Sequence, residues 1–282
     1  MNEFPRRENP LAMVEDLEPR KLLTAVMDGT QLNVTGTGKA DVISVYLNSK
    51  NLKQLEVKVN KTVTAFTAAS ITLIRISAGA GNDKVIVDQT ISPINIQTII
   101  YGGAGDDVIQ GGAARDRIAG DDGNDTIDGE GGNDIIYGGT GDDRINGENG
   151  VDYLDGGLGN DWLEGNKGAD NLFGQDGNDI IFGNEDNDNI DGGDGDDSID
   201  GGSGDDVITG GADDDSIVGE DGNDKIFGGD GNDYISGDAG NDTLDGQAGT
   251  DSVWGRAGAD HFSSDDSQSE MRDFIAGDVI DP

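Results

Sequence analysis

The stretch GGDGNDYIS (residues 228–236) decides how this chain is read. GGDGN consists of turn formers, YIS is β-like, and an Asp stands between them at the sixth position. Outward from this stretch, the segment from Gly102 to Ser263 divides into 18 consecutive nonapeptides without insertion. Position one is Gly and position six is Asp in all 18. Position eight is always apolar, mostly Ile, with Leu154, Leu163, Leu172, Leu244, Val253 and Phe262 as the variants. Position four is Gly in 15 units, Ala114, Asp186 and Asp213 being the exceptions. Low-complexity sequence would not keep an apolar residue in register.

The physics of one unit follows from its residues. Gly at positions one and four permits positive φ, and Asn or Asp at position five tolerates it, so positions one to six are expected to turn. Positions seven to nine are too short for a helix and alternate about one apolar residue, which makes a short strand with position eight facing inward. One such strand cannot be stable alone. Two units, 18 residues, make a coil of two strands and two turns. Stacked coils give two parallel sheets whose position-eight residues meet between them. The array then has nine coils and, at ~4.8 Å per coil, a length of roughly 43 Å.

Composition alone argues otherwise. Of 282 residues 48 are Gly, aromatics are 5% and the formal net charge is −40, a profile that favours disorder. The charge is unevenly placed: residues 1–101 carry net +1, residues 102–263 net −36 and residues 264–282 net −5. An acidic array lacks the basic footprint of a nucleic-acid binder and is repelled by anionic membranes, so cations are its natural partners. There is no Cys, hence no disulfide and no thiolate metal site. No apolar run approaches membrane-spanning length. The N-terminal stretch MNEFPRRENPLAMVEDLEPRKLLTA lacks the apolar core of an ordinary signal peptide.

Stacking raises an electrostatic problem. Turns on one flank recur every 18 residues, which lines up Asp107, Asp125, Asp143, Asp161, Asp179, Asp197, Asp215, Asp233 and Asp251. The other flank lines up Asp116, Asp134, Asp152, Asp170, Asp188, Asp206, Asp224, Asp242 and Asp260. Carboxylates about 5 Å apart in a column repel, so either they take up protons or a cation sits between them. Hard oxygen donors in flexible Gly-rich turns suit Ca²⁺ better than Mg²⁺, and Zn²⁺ is disfavoured with no Cys and one His. Eight gaps on each flank give at most about 16 sites. Sixteen Ca²⁺ would nearly neutralise the segment, so calcium is expected to be structural and its binding coupled to folding.

Units such as GGAGDDVIQ, GGTGDDRIN, GGSGDDVIT and GGDGNDYIS resemble the RTX, or hemolysin-type, calcium-binding nonapeptide G-G-x-G-x-D-x-U-x. The resemblance covers residues 102–263. It implies an all-β fold, a right-handed parallel β-roll, with Ca²⁺ held between successive turns by position-six Asp side chains and turn carbonyls. It also implies an exported protein whose repeats fold on meeting extracellular calcium. Ala114, Asp186 and Asp213 depart from the pattern, which puts neighbouring turns in question. AGAGNDKVI (78–86) looks like an isolated earlier unit with Asp83 at position six and Ala at position one. LEPRKLLTA (17–25) resembles the LEPR-XLL motif near the start of some large exported bacterial proteins. MRDFIAGDVIDP (271–282) resembles the D-F-x-x-G-D-x-I-D stretch that often follows such arrays, and its Phe274, Ile275, Val279 and Ile280 would plug the open end.

The chain thus divides into a lead-in (1–25), a β-rich segment (26–101), the repeats (102–263) and a C-terminal cap (264–282). Within 26–101 the runs QLNVTG, ADVISVYL, QLEVKVN, TVTAFT, ITLIRIS, KVIVD and INIQTII read as strands of an N-terminal β cap. An independent carbohydrate-binding or adhesive β-domain is the alternative for this segment. No H-E-x-x-H, G-x-S-x-G, phosphate loop, G-x-G-x-x-G or EF-hand loop is present, and His261 alone makes no triad, so no enzyme is expected. The outward aromatics divide by parity into Trp162, Phe182, Tyr234 and Trp254 on one face and Tyr137, Tyr153, Phe173 and Phe227 on the other. The reading is a calcium-binding, extracellular or cell-surface structural module. Its rivals are a calcium-dependent adhesin or glycan-binding protein for a surface or polysaccharide partner, and an enzyme with an unrecognised site in 26–101.

Overall fold

The computed structural model describes residues 24–263 and 278–280. The lead-in through residue 23, and Phe274 and Ile275 of the closing stretch, lie outside the described residues.

The chain opens with β1 (Thr24–Asp28) and β2 (Gln31–Thr35), an antiparallel pair turned at Gly29. Thr24 and Ala25, placed in the lead-in by the sequence, are already strand. Then come β3 (Val42–Asn48), β4 (Asn51–Val59), β5 (Thr62–Thr67), β6 (Leu73–Ala80) and β7 (Lys84–Asp88), with one short 3-10 turn at Ala68–Ser70. From Thr98 onward short strands alternate between two long sheets of 14 and 13 strands. Ile118 pairs in parallel with Ile136, Ile136 with Leu154 and Leu154 with Leu172; in the other sheet Ile145 pairs with Leu163 and Leu163 with Ile181. Each step is one coil of 18 residues, so the fold is the all-β parallel solenoid expected, with about nine such coils.

Both sheets run on through the N-terminal segment at longer intervals. Ile76 pairs with Ile100 and Val85 with Ile109; before them Leu32 pairs with Ile74 and Ile43 with Val85. The wider spacing is taken up by loops and by the β4–β5 hairpin, which extends one sheet antiparallel beyond β3.

The core has two regimes. Every position-eight residue from Ile109 to Phe262 is buried, and it is the repeats' one apolar core residue per strand. The N-terminal strands bury several each: Leu55, Val57 and Val59 in β4, and Ile74, Ile76 and Ala78 in β6. A buried Val, Leu or Ile contributes ~1.5–3 kcal/mol, so the N-terminal coils hold a far larger hydrophobic share per residue than the repeats.

The structure corrects three local expectations. Most repeat strands are twice as long as read: Arg144–Asn149 spans positions seven to nine and positions one to three of the next unit, while Val108–Gln110, Thr126–Asp128, Tyr234–Ser236 and Ser252–Trp254 keep to positions seven to nine. After a bend at Gly147 the chain re-pairs, Glu148 with Asn166 and Asn149 with Lys167, because the coil beneath offers a parallel edge there too. Position five does not take positive φ; the left-handed residues sit at positions two and four, such as Gly139 (φ +124°) and Gly141 (φ +121°). Finally, INIQTII is strand only from Thr98, its Ile94 being buried as part of a loop.

Candidate metal-binding columns

Each position-six Asp closes a turn, and stacking puts these residues in two columns. On one flank the Asp125 N–H donates to Asp143 Oδ1 at 2.7 Å and the Asp143 N–H to Asp161 Oδ1 at 2.8 Å. On the other, the Asp134 N–H donates to Asp152 Oδ1 and the Asp152 N–H to Asp170 Oδ1, both at 2.7 Å. The same bond recurs along both columns, so each carboxylate reaches back toward the coil before it. All 18 position-six aspartates are at most 3% exposed.

The second oxygen is different. Oδ2 has no hydrogen-bond partner in any column member from Asp125 to Asp242. A buried acceptor without a donor costs about 1–3 kcal/mol, more when charged, so a column of them is a large accumulated penalty. The position-one glycine explains why these oxygens crowd together. A Cβ at Gly174 would stand 2.1 Å from Asp179 Oδ2 and 2.4 Å from the Gly192 carbonyl oxygen of the next coil. Only hydrogen leaves room for a carboxylate and a carbonyl oxygen to converge there. Gly174→Ala is therefore expected to destabilise the calcium-loaded protein by about 1–3 kcal/mol. Gly38, where a Cβ would meet nothing within 4 Å, is the matched control. Equal denaturant midpoints for the two variants would count against the crowding argument.

Burial raises the column pKa values, neighbouring column carboxylates add to the rise, and the N–H bond to Oδ1 opposes it. The result is about 6 at Asp125 and Asp242, about 7 at Asp143, Asp179 and Asp224, and about 8 at Asp134 and Asp188. Near neutral pH the columns therefore stand between proton uptake and cation uptake. Carboxylate and carbonyl oxygens alone are hard donors that fit Ca²⁺. Among the described residues no three His, Cys, Asp or Glu side chains converge on one point, so an ion in a column would need backbone carbonyls to complete its shell.

The three departures at position four behave differently. Asp186 (φ +78°) and Asp213 (φ +77°) hold the left-handed conformation that glycine holds elsewhere, and the columns pass them unbroken, Asp170 to Asp188 at 2.8 Å and Asp197 to Asp215 at 2.9 Å. At Ala114 the turn changes. Asp116 Oδ1 accepts the Thr98 N–H and its Oδ2 accepts the Gly112 N–H at 2.6 Å, so both oxygens are taken. Asp83 joins the first column: its N–H donates to Asp107 Oδ1, and its own Oδ2 is unpartnered.

Three features escaped the sequence reading. Asp41 precedes Asp83 in the column, its N–H donating to Asp83 Oδ1 at 2.5 Å. The signal was present in GTGKADVIS (36–44), with Gly at one, Asp at six and Ile at eight, but the 42-residue interval to the next turn hid it. Asp278 stands 18 residues after Asp260 and accepts its N–H at 3.1 Å. Position five forms an outer ladder of opposite sense: the Asn160 N–H donates to Asp142 and the Asn178 N–H to Asn160, each at 2.9 Å.

The outward aromatics fall on the faces expected. Tyr137, Tyr153 and Phe173 stack across coils at 5.8 and 5.1 Å, and Trp162 stacks on Phe182 at 5.2 Å. Arg117 covers Tyr137 and Arg144 covers Trp162. The rings are tilted against one another, so their faces are largely spent on inter-coil contact. A surface recess of about 470 Å³ on one sheet is lined by polar side chains such as Asn166, Lys167, Glu185 and Glu220, without His or Cys. No helix among the described residues is long and apolar enough to cross a membrane.

A family model described as the RTX calcium-binding nonapeptide repeat (four copies) matches the chain in eight overlapping windows, from residues 101–136 to residues 227–262, which together cover 101–262 without a gap. No curated protein matches the chain.

Proposed function

Because the chain belongs to the RTX calcium-binding nonapeptide repeat family, we propose that its Asp columns hold Ca²⁺ between successive turns and that the protein is an exported, non-enzymatic structural module whose repeats fold as they bind the ion. The observation that carries this reading is the unbroken run of buried, unpartnered Oδ2 atoms from Asp125 to Asp242. Each gap in a column would give an ion carboxylate oxygens and position-one carbonyls; up to about 16 ions would fit, which nearly cancels the −36 of residues 102–263. Asp116, with both oxygens bonded to backbone N–H groups, is the poorest ligand of the 18. Ca²⁺ is favoured over Mg²⁺ because irregular carbonyl-rich shells suit the larger ion. Export fits the same requirement, since extracellular fluid supplies the millimolar calcium that such a fold needs. The segment 26–101 serves as the N-terminal cap of the roll.

Calcium titration with ion counting tests this. About 16 ions should be retained per chain through gel filtration, largely unaffected by added salt. A number that falls steadily with ionic strength would instead describe loose counter-ions. Asp179→Asn should weaken only the sites beside Asp161 and Asp197. Anomalous scattering showing equal ion loss on both flanks would reject the column assignment.

A further inference from the structure

We propose that residues 24–101 are a calcium-independent end-piece, closed by Asn60, on which the calcium-dependent coils are laid down. This rests on the reading that the repeats need calcium.

In the repeats each turn takes two bonds from the coil before it. Asp125 Oδ1 accepts the Asp107 N–H at 2.7 Å, and the position-seven Thr126 N–H donates to the Asp107 carbonyl at 2.9 Å. The same pair links Asp83 to Asp107 and Asp41 to Asp83. No coil precedes Asp41 among the described residues. Asn60, in the turn of the β4–β5 hairpin, supplies both bonds instead. Its Nδ2 donates to Asp41 Oδ1 at 2.6 Å, and its Oδ1 accepts the Val42 N–H at 2.8 Å. One side-chain amide thus reproduces the peptide N–H and C=O that a further coil would have offered. Its own N–H is bonded to the Val42 carbonyl at 2.7 Å, which fixes its place.

The second oxygen of Asp41 is also satisfied, by the Thr37 N–H at 2.6 Å and the Thr37 hydroxyl at 2.9 Å. Asp41 therefore has protein donors where Asp125 to Asp242 have an empty valence. On the other flank Thr98 stands in the column position, carries no charge, and gives its N–H to Asp116. The need for a cation thus ends at Asp41 on one flank and at Thr98 on the other, and Asp83, which borders the first repeat turn at Asp107, is the one column member within 24–101 whose Oδ2 stays unpartnered. The same coils bury several apolar residues per strand, and residues 24–101, with 7 basic and 5 acidic side chains, carry a net charge of only +2, so they contain a core that does not depend on neutralisation. In a solenoid each unit leans only on its neighbours, and a folded end-piece gives the first repeat coil a ready edge.

Hydrogen exchange on the whole chain in chelator and in calcium tests this. In chelator, amides of β2, β3, β4, β6 and β7 should exchange at least ~100-fold more slowly than an unfolded chain, while those of 117–254 should exchange near the unfolded rate. Loss of protection in both segments together would overturn the end-piece and leave the calcium reading standing. Protection retained in 117–254 would overturn the calcium reading itself. Asn60→Ala should cut the chelator-state protection of β2 to β4 by at least ~10-fold and leave that of 135–236 in calcium unchanged. An unaltered end-piece in this variant would remove Asn60 from its closing role.

Discussion

Moved from millimolar calcium into chelator at pH 8, the protein should lose most of its far-UV β signal and recover it with calcium, but not with equimolar Mg²⁺. The expected loss is large because the repeats have little else to hold them. Each repeat strand buries one apolar core side chain, and each turn from Asp125 to Asp242 leaves a buried carboxylate oxygen without a partner. Ordering a residue costs about 1–2 kcal/mol in backbone entropy alone, and one Ile per nine residues cannot offset that. The signal that survives should be that of the N-terminal coils. A spectrum unchanged by chelator would mean that hydrogen-bonded stacking alone suffices.

Acid should partly replace calcium. Column aspartates such as Asp125, Asp143 and Asp134 have folded pKa values of about 6, about 7 and about 8, above the ordinary unfolded value near 3.9. A raised folded pKa means that the folded state binds more protons. The stability this gives the calcium-free roll is complete below the unfolded pKa and is lost as pH rises through about 6 to 8. Chelated protein should therefore regain β structure on titration from pH 8 to pH 5, with a midpoint between 6 and 8. In calcium the sign reverses: protons compete for the same oxygens, so the calcium midpoint should move to higher concentration as pH falls. Chelated protein as unfolded at pH 5 as at pH 8 would show that proton uptake does not relieve the columns.

How much was legible beforehand follows from periodicity. Position eight and position six recur without a break, so the 18-residue coil, the buried Ile row and the two Asp columns could be placed from sequence. What escaped was whatever lies off that period. Asp41 belongs to the column but is 42 residues from Asp83, and a period search is blind to a coil that carries a hairpin. Position five was read by propensity, since Asn tolerates positive φ; in the stack its side chain finds the next coil's N–H, a contact that exists only between coils. The strand extension through positions one to three has the same origin, because Gly-rich sequence looks like turn until a parallel edge is laid beside it. Asn60, in the β4–β5 hairpin turn, is hidden for the same reason. Nothing local distinguishes an Asn that merely turns from one that completes another strand's bonds.

The regularity of the ladder has a consequence of its own. Shifted by 18 residues, nearly every repeat coil finds the same Asp and Gly partners and another apolar side chain, mostly Ile or Leu, so backbone and core can hardly tell one coil from another. The irregular surface can. The Tyr137–Tyr153–Phe173 stack, the Trp162–Phe182 pair and the Arg144–Glu164 ion pair each occur at one address only. Together with the one end where an Asn amide closes the stack, they act as the graduations and the zero of a ruler: a chain that skips a coil keeps its core and loses its count.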